Sequence, residues 1–130
     1  MQNYSFPDDL VAFWDFSEIK APYYSKAGIE NLPLYVGETA PTKVDITSSN
    51  KGLLFNGISD YLILPSSELG SLNVSKSGDE VTVVAWVKRP ADSANKNAFI
   101  AGMWQEDDTN PIRQYGLFTH LPMYGGWNRV

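Results

Sequence analysis

The stretch Gly52-Leu53-Leu54-Phe55-Asn56-Gly57-Ile58-Ser59-Asp60-Tyr61-Leu62-Ile63-Leu64-Pro65 constrains the fold more than any other part of the chain. Two short apolar runs, Leu53–Phe55 and Tyr61–Leu64, flank a polar knot containing Asn56-Gly57. Asn and Gly tolerate the positive φ that a tight reversal between right-twisted strands requires, so the stretch reads as a β-hairpin. Further on, Val81-Thr82-Val83-Val84-Ala85-Trp86-Val87 is apolar on both faces, the pattern of a strand buried on both sides. A rim hairpin feeding a fully buried strand predicts an all-β chain, folded as an antiparallel two-sheet β-sandwich.

Composition agrees. Ten Gly and eight Pro interrupt the chain often enough that no long helix fits between them. Aromatic residues at 13% and abundant Val, Ile and Thr favour strands. With 43% apolar and 19% charged residues the chain is an ordinary globular sequence, and 130 residues make one domain, 1–130. The net charge of −5 and the lack of a basic stripe argue against nucleic acid as a partner. There is no cysteine, which excludes disulfides, thiol catalysis and thiolate metal sites. No apolar run approaches the roughly 20 residues of a spanning helix, so membrane insertion is not expected. Leu10–Trp14 is too short for a signal core and is flanked by Asp8 and Asp9, so the sequence reads as a mature or excised domain.

Along the chain, Leu10–Phe16 is expected to be the first strand, with Leu10, Ala12, Trp14 and Phe16 on one face. Ser17–Thr42 is irregular, with room for a short strand around Leu34–Val36; a loop this long is expected to be functional or pinned by its aromatics, with Tyr23, Tyr24 and Tyr35 as the pins. Lys43–Thr47 reads as another short strand, and Ser48–Lys51 as the turn after it. Ser66–Leu72 is expected to form one helical turn capped by Ser66 or Ser67, with Leu69 and Leu72 inward. Ala98–Trp104 and Gln114–Thr119 predict a second hairpin across the acidic loop Gln105–Arg113. Trp14 and Trp86, both mid-strand, are expected in the core.

The wording G-L-L-F-N-G-x-x-D-Y-L-x-L-P followed by V-T-V-x-A-W-V-K resembles the laminin-G-like group of the concanavalin A-like lectin/glucanase jelly rolls. Ile100–Trp104 and Tyr115–Phe118 carry a second, looser resemblance to a Trp-containing strand followed by Tyr-Gly-Leu. The chain departs at Asn56, where the family more often has Asp. The resemblance implies a jelly-roll sandwich, a secreted, periplasmic or cell-surface setting, and further strands beyond those present here. The sequence corresponds to about the first half of such a fold, so those strands would come from another segment or another chain, and self-association is an expected alternative.

Three kinds of chemistry are weighed against structural readings. Calcium takes six to eight oxygen ligands, and the resemblance implies a calcium site on a loop rim, for which Asn56, Asp60, Asp107 and Asp108 are the candidates. Asn56 and Asp60 are equally explained as turn formers. A sugar platform needs a solvent-facing aromatic ring beside polar side chains. Tyr124 and Trp127 with Asn128 and Arg129 have that composition, as does Trp104 beside Gln105. The competing reading of Trp127 is a rim aromatic sealing the sandwich. Family glucanases use Glu-x-Asp-x-Glu on a strand, and Glu106 and Asp108 match its first two positions. The third falls on Asn110, within a turn, so no catalytic residue is assigned. His120 has no nucleophile or metal partner in sequence and reads as a loop histidine.

The resulting expectation is a non-catalytic, lectin-like module that binds a glycan or polysaccharide, with calcium as a further implication of the resemblance. A protein–protein or structural module is the alternative, and a glycoside hydrolase or lyase the third reading.

Overall fold

The computed structural model describes residues 4–47, 50–74, 80–89, 98–105, 109 and 112–119. The chain forms two compact units, Met1–Asn73 and Val74–Val130. Among the described residues the regular structure is antiparallel strand pairs and two short 3-10 turns, which makes the chain all-β.

In the first unit, β1 (Tyr35–Val36), β2 (Thr42–Asp45), β3 (Lys51–Leu54) and β4 (Leu62–Ile63) form two ladders. β2 and β3 are a hairpin, with Thr42 opposite Leu54 and Asp45 opposite Lys51. Its turn is closed by the Ile46 and Thr47 N–H groups, which donate to the Asn50 carbonyl at 2.9 and 3.2 Å. β1 pairs with β4, Tyr35 opposite Ile63 and Val36 opposite Leu62, so the outer ladder brackets the inner hairpin in sequence. The pairing of β3 with β4 expected from the sequence is therefore not formed. Gly57 does adopt the expected positive φ of 71°. The segment nevertheless becomes a wide loop that carries the chain from one ladder to the other.

The core of this unit lies under residues 10–32. Tyr23, Ala27 and Leu32 are buried. Phe16 meets Tyr23 edge-on at 5.5 Å, and Tyr4, Phe6 and Phe13 form a second aromatic group with centroids 5.0–5.3 Å apart. Residues 10–16 belong to no ladder, contrary to the expected first strand. Their polar groups go instead to the 23–32 loop: Phe13 N–H donates to Ser25 Oγ at 3.1 Å, and its carbonyl accepts from Lys26 N–H at 2.7 Å. Trp14 is half-buried, and its indole N–H donates to the Leu32 carbonyl at 3.0 Å. Phe16, with φ of 52°, leaves the extended region and ends the run. Gly28 sits where a Cβ would lie 2.2 Å from the Val11 carbonyl oxygen, and its φ is 75°. Only glycine fits both conditions.

After β4, Ser66–Glu68 and Gly70–Leu72 form the two 3-10 turns. Their N-cap positions are Pro65 and Leu69, without side-chain capping bonds, so the expected serine cap is absent.

In the second unit, β5 (Phe99–Gln105) and β6 (Ile112–Phe118) make the expected hairpin, with Phe99 opposite Phe118 and Trp104 opposite Arg113. Phe118 takes the edges or faces of Phe99 and Trp104 at 5.2 and 5.1 Å. Thr119 N–H donates to the Ala98 carbonyl and Ala98 N–H to Thr119 Oγ1, closing the open end. Residues 80–89 overturn an expectation. They pair in no ladder, and Val81, Val84, Trp86 and Val87 are exposed, Trp86 at 92%. A sequence apolar on both faces is buried only where strands flank it and layers cover it. Within this unit no described residue pairs with residues 80–89.

Candidate functional site

The β1–β4 ladder presents an aromatic face. Side chains alternate along a strand, so Tyr35 and its cross-strand partner Ile63 share a side, as do positions 37 and 61. Position 37 is glycine, and the Tyr61 ring occupies the vacant space: a Cβ on Gly37 would lie 2.0 Å from its Cε2 atom. The ladder continues there through the Gly37 N–H, which donates to the Tyr61 carbonyl at 2.9 Å. Tyr35, Tyr61 and Ile63 thus form one row, each 38–49% exposed. Tyr24 is also exposed, and both it and Glu68 come close to Tyr35. The Tyr35 phenol is raised above its ordinary pKa by partial desolvation, then by the charge of Glu68, by Tyr24, and by a hydrogen bond to the Glu68 carboxylate. The Tyr35 ring is half-open to solvent.

At the other end of the row lies the polar knot. Asn56 Oδ1 accepts from the N–H groups of Ile58, Ser59 and Asp60 at 2.9–3.0 Å. Asp60 Oδ2 accepts from Asn56 N–H at 2.9 Å, and its Oδ1 from Thr39 Oγ1 at 2.5 Å. Thr39 Oγ1 also contacts Ser59 Oγ at 2.8 Å, and Thr39 and Asp60 form an isolated parallel bridge. These bonds explain the wide loop. One carboxamide satisfies three consecutive donors, which a two-residue reversal would leave to a facing strand.

The structure therefore brings Asn56 and Asp60 together, as structural acceptors. Their side-chain oxygens accept from N–H and O–H donors of the loop and of Thr39. Among the described residues no group of three or more Asp, Glu or His side chains is placed to hold a metal ion. Trp104 is half-buried on β5, its ring 5.4 Å from the Arg113 guanidinium and edge-on to Phe118, so its faces are partly taken by protein. Gln105 is exposed at the end of β5. Asp107, Asp108, Tyr124, Trp127, Asn128 and Arg129 lie outside the described residues, as do Glu106, Asn110 and His120.

The sequence reading missed Tyr35, Tyr61, Tyr24 and Glu68 as surface groups. Of the three tyrosines expected to pin the irregular segment, Tyr23 is buried, whereas Tyr24 and Tyr35 are exposed. The signal was present in the spacing, since Tyr35-x-Gly37 and Tyr61-x-Ile63 place a small residue where a neighbouring ring can lie. No known family model matches the chain, and no curated protein or solved structure matches it.

Proposed function

We propose that this chain is a non-catalytic glycan-binding module of the laminin-G-like, concanavalin A-type sandwich class, working in an extracytoplasmic setting. The observation that carries the reading is the exposed row Tyr35–Ile63–Tyr61, bounded by Glu68 at one end and the Asn56–Asp60 loop at the other. A tyrosine ring has an electron-rich face and a polar tip, which suits the C–H face of a pyranose and a neighbouring hydroxyl together. Glu68 and the side chains of Ser59 and Thr39 supply further polar groups along the row. The motifs of Gly52–Lys88 support the class, and the Tyr124–Arg129 segment supplies a second candidate platform.

The test is affinity electrophoresis of the chain against a panel of soluble polysaccharides. At least one is expected to retard the protein. Tyr35→Ala and Tyr61→Ala are each expected to weaken that binding about tenfold, or roughly 1.4 kcal/mol. Trp127→Ala separates the two platforms. Full retention of binding in both tyrosine variants moves the site away from the β1–β4 face, and no retardation by any glycan removes the reading.

A protein-interaction role is the second reading, favoured by the bare apolar side chains of Val81, Val84, Trp86 and Val87.

A further inference from the structure

Residues 80–89 carry Glu80 at one end and Lys88 and Arg89 at the other, with only Val, Thr, Ala and Trp between them. They lie in no helix or ladder, and none has positive φ. The segment can therefore take up a strand pairing without passing through strained backbone. Glu80, Lys88 and five of the intervening apolar residues, Val81, Val84, Ala85, Trp86 and Val87, are exposed. Backbone that pairs with no described residue and bears exposed Val and Trp side chains is a template for another strand.

We propose that residues 80–88 pair with the same residues of a second copy of this chain, antiparallel, about a two-fold axis through Val84. Charge selects this occupant and this register. With Val84 on the axis, Glu80 faces Lys88 of the other copy, and the symmetry makes that pair twice. Val81 then faces Val87, Thr82 faces Trp86, and Val83 faces Ala85, so every apolar residue meets an uncharged one. Opposite charges and aromatic–β-branched neighbours are the stabilising cross-strand pairs. A parallel pairing would set Glu80 against Glu80 and Lys88 against Lys88. A slip of one residue would put Lys88 opposite Val81 and turn the faces over. The pairing is independent of the glycan reading: loss of sugar binding leaves it intact, and a monomer leaves the tyrosine face intact.

The full chain contains no cysteine, so single cysteines report the geometry directly. Partner Cα atoms in an antiparallel pair lie about 4.5–5.5 Å apart, within the roughly 4.4–6.8 Å that a disulfide spans. Val84→Cys is expected to form a disulfide-linked dimer under mild oxidation. Val81→Cys alone is expected to form little, and an equimolar mixture of Val81→Cys and Val87→Cys to form the mixed dimer. In sedimentation velocity, Glu80→Lys is expected to weaken the dimer about tenfold. The double variant Glu80→Lys/Lys88→Glu, in which the pair is reversed, is expected to restore it, which also controls for folding. A monomeric wild-type chain, equal cross-linking of Val81→Cys and Val84→Cys, or a dimer indifferent to Glu80→Lys would each overturn the proposal.

Discussion

Gly28 and Asn56 show how single residues hold the first unit. Replacing Gly28 by Ala adds a Cβ against the Val11 carbonyl oxygen and strains a positive φ, and is expected to cost more than about 2 kcal/mol in chemical denaturation. Gly57→Ala meets nothing within 4 Å, so only the backbone strain of about 1 kcal/mol should appear. Asn56→Ala removes the acceptor of three N–H groups and is expected to cost about 1–2 kcal/mol, whereas Asn56→Asp keeps the acceptor and should cost less. Acid sensitivity is also set residue by residue. Burial acts to raise the pKa values of Asp15 and Glu18, but it is outweighed. For Asp15 the opposing influences are hydrogen bonds from Ser17 and Tyr4 and the charge of Lys26. For Glu18 they are Lys26, paired at 2.5 Å, and the Tyr24 N–H. Both values are lowered on folding. Their stabilisation is thus complete above the unfolded values of about 4 and is lost as pH falls through the lower folded ones. Thermal melts from neutral to strongly acid pH should show a shallower acid limb for Glu18→Gln and Asp15→Asn than for wild type.

At the scale of elements, the β5–β6 hairpin and the β2 and β1 strands were legible in the sequence because their determinants are local. Ile100–Trp104 and Tyr115–Phe118 have the apolar and aromatic content of strands, and cross-strand contacts of Phe118 with Phe99 and Trp104 hold them. Trp104→Ala removes the Phe118 and Arg113 contacts of a half-buried ring and is expected to cost about 2 kcal/mol, read from the loss of hairpin amide protection in hydrogen exchange. The partners that β3 and β4 take were not legible. Their sequences suit strands, but which strand each meets depends on Tyr35–Val36 and Thr42–Asp45, far from the turn in sequence. The tyrosine face was hidden for the same reason. Tyr35 and Tyr61 become neighbours only when β1 and β4 pair.

For the whole molecule, the described residues bury little: Tyr23, Ala27 and Leu32 are the buried hydrophobic residues among them, all in the first unit. Val81, Val84, Trp86, Val87 and Phe99 of the second unit are exposed. A chain with this much uncovered apolar surface gains stability from whatever covers it. If a second copy does so, the melting temperature rises with protein concentration, by mass action on the dimer. Calorimetry across a concentration series checks this: a concentration-independent transition counts against self-association as the cover.

Composition and local pattern by themselves determined that this chain is all-β, where β1, β2 and the β5–β6 hairpin lie, that Gly57 takes positive φ, and that Val81–Val87 is apolar on both faces. Each follows from φ/ψ preference or side-chain alternation within a few residues. Tertiary structure alone decided that β3 meets β2 and β4 meets β1, that Asn56 and Asp60 spend their oxygens on the loop, and that Tyr23 is buried while Tyr35 is not. It also decided that Trp86 stands in solvent. Burial is a property of what lies opposite a residue, and an apolar residue does not carry its own cover.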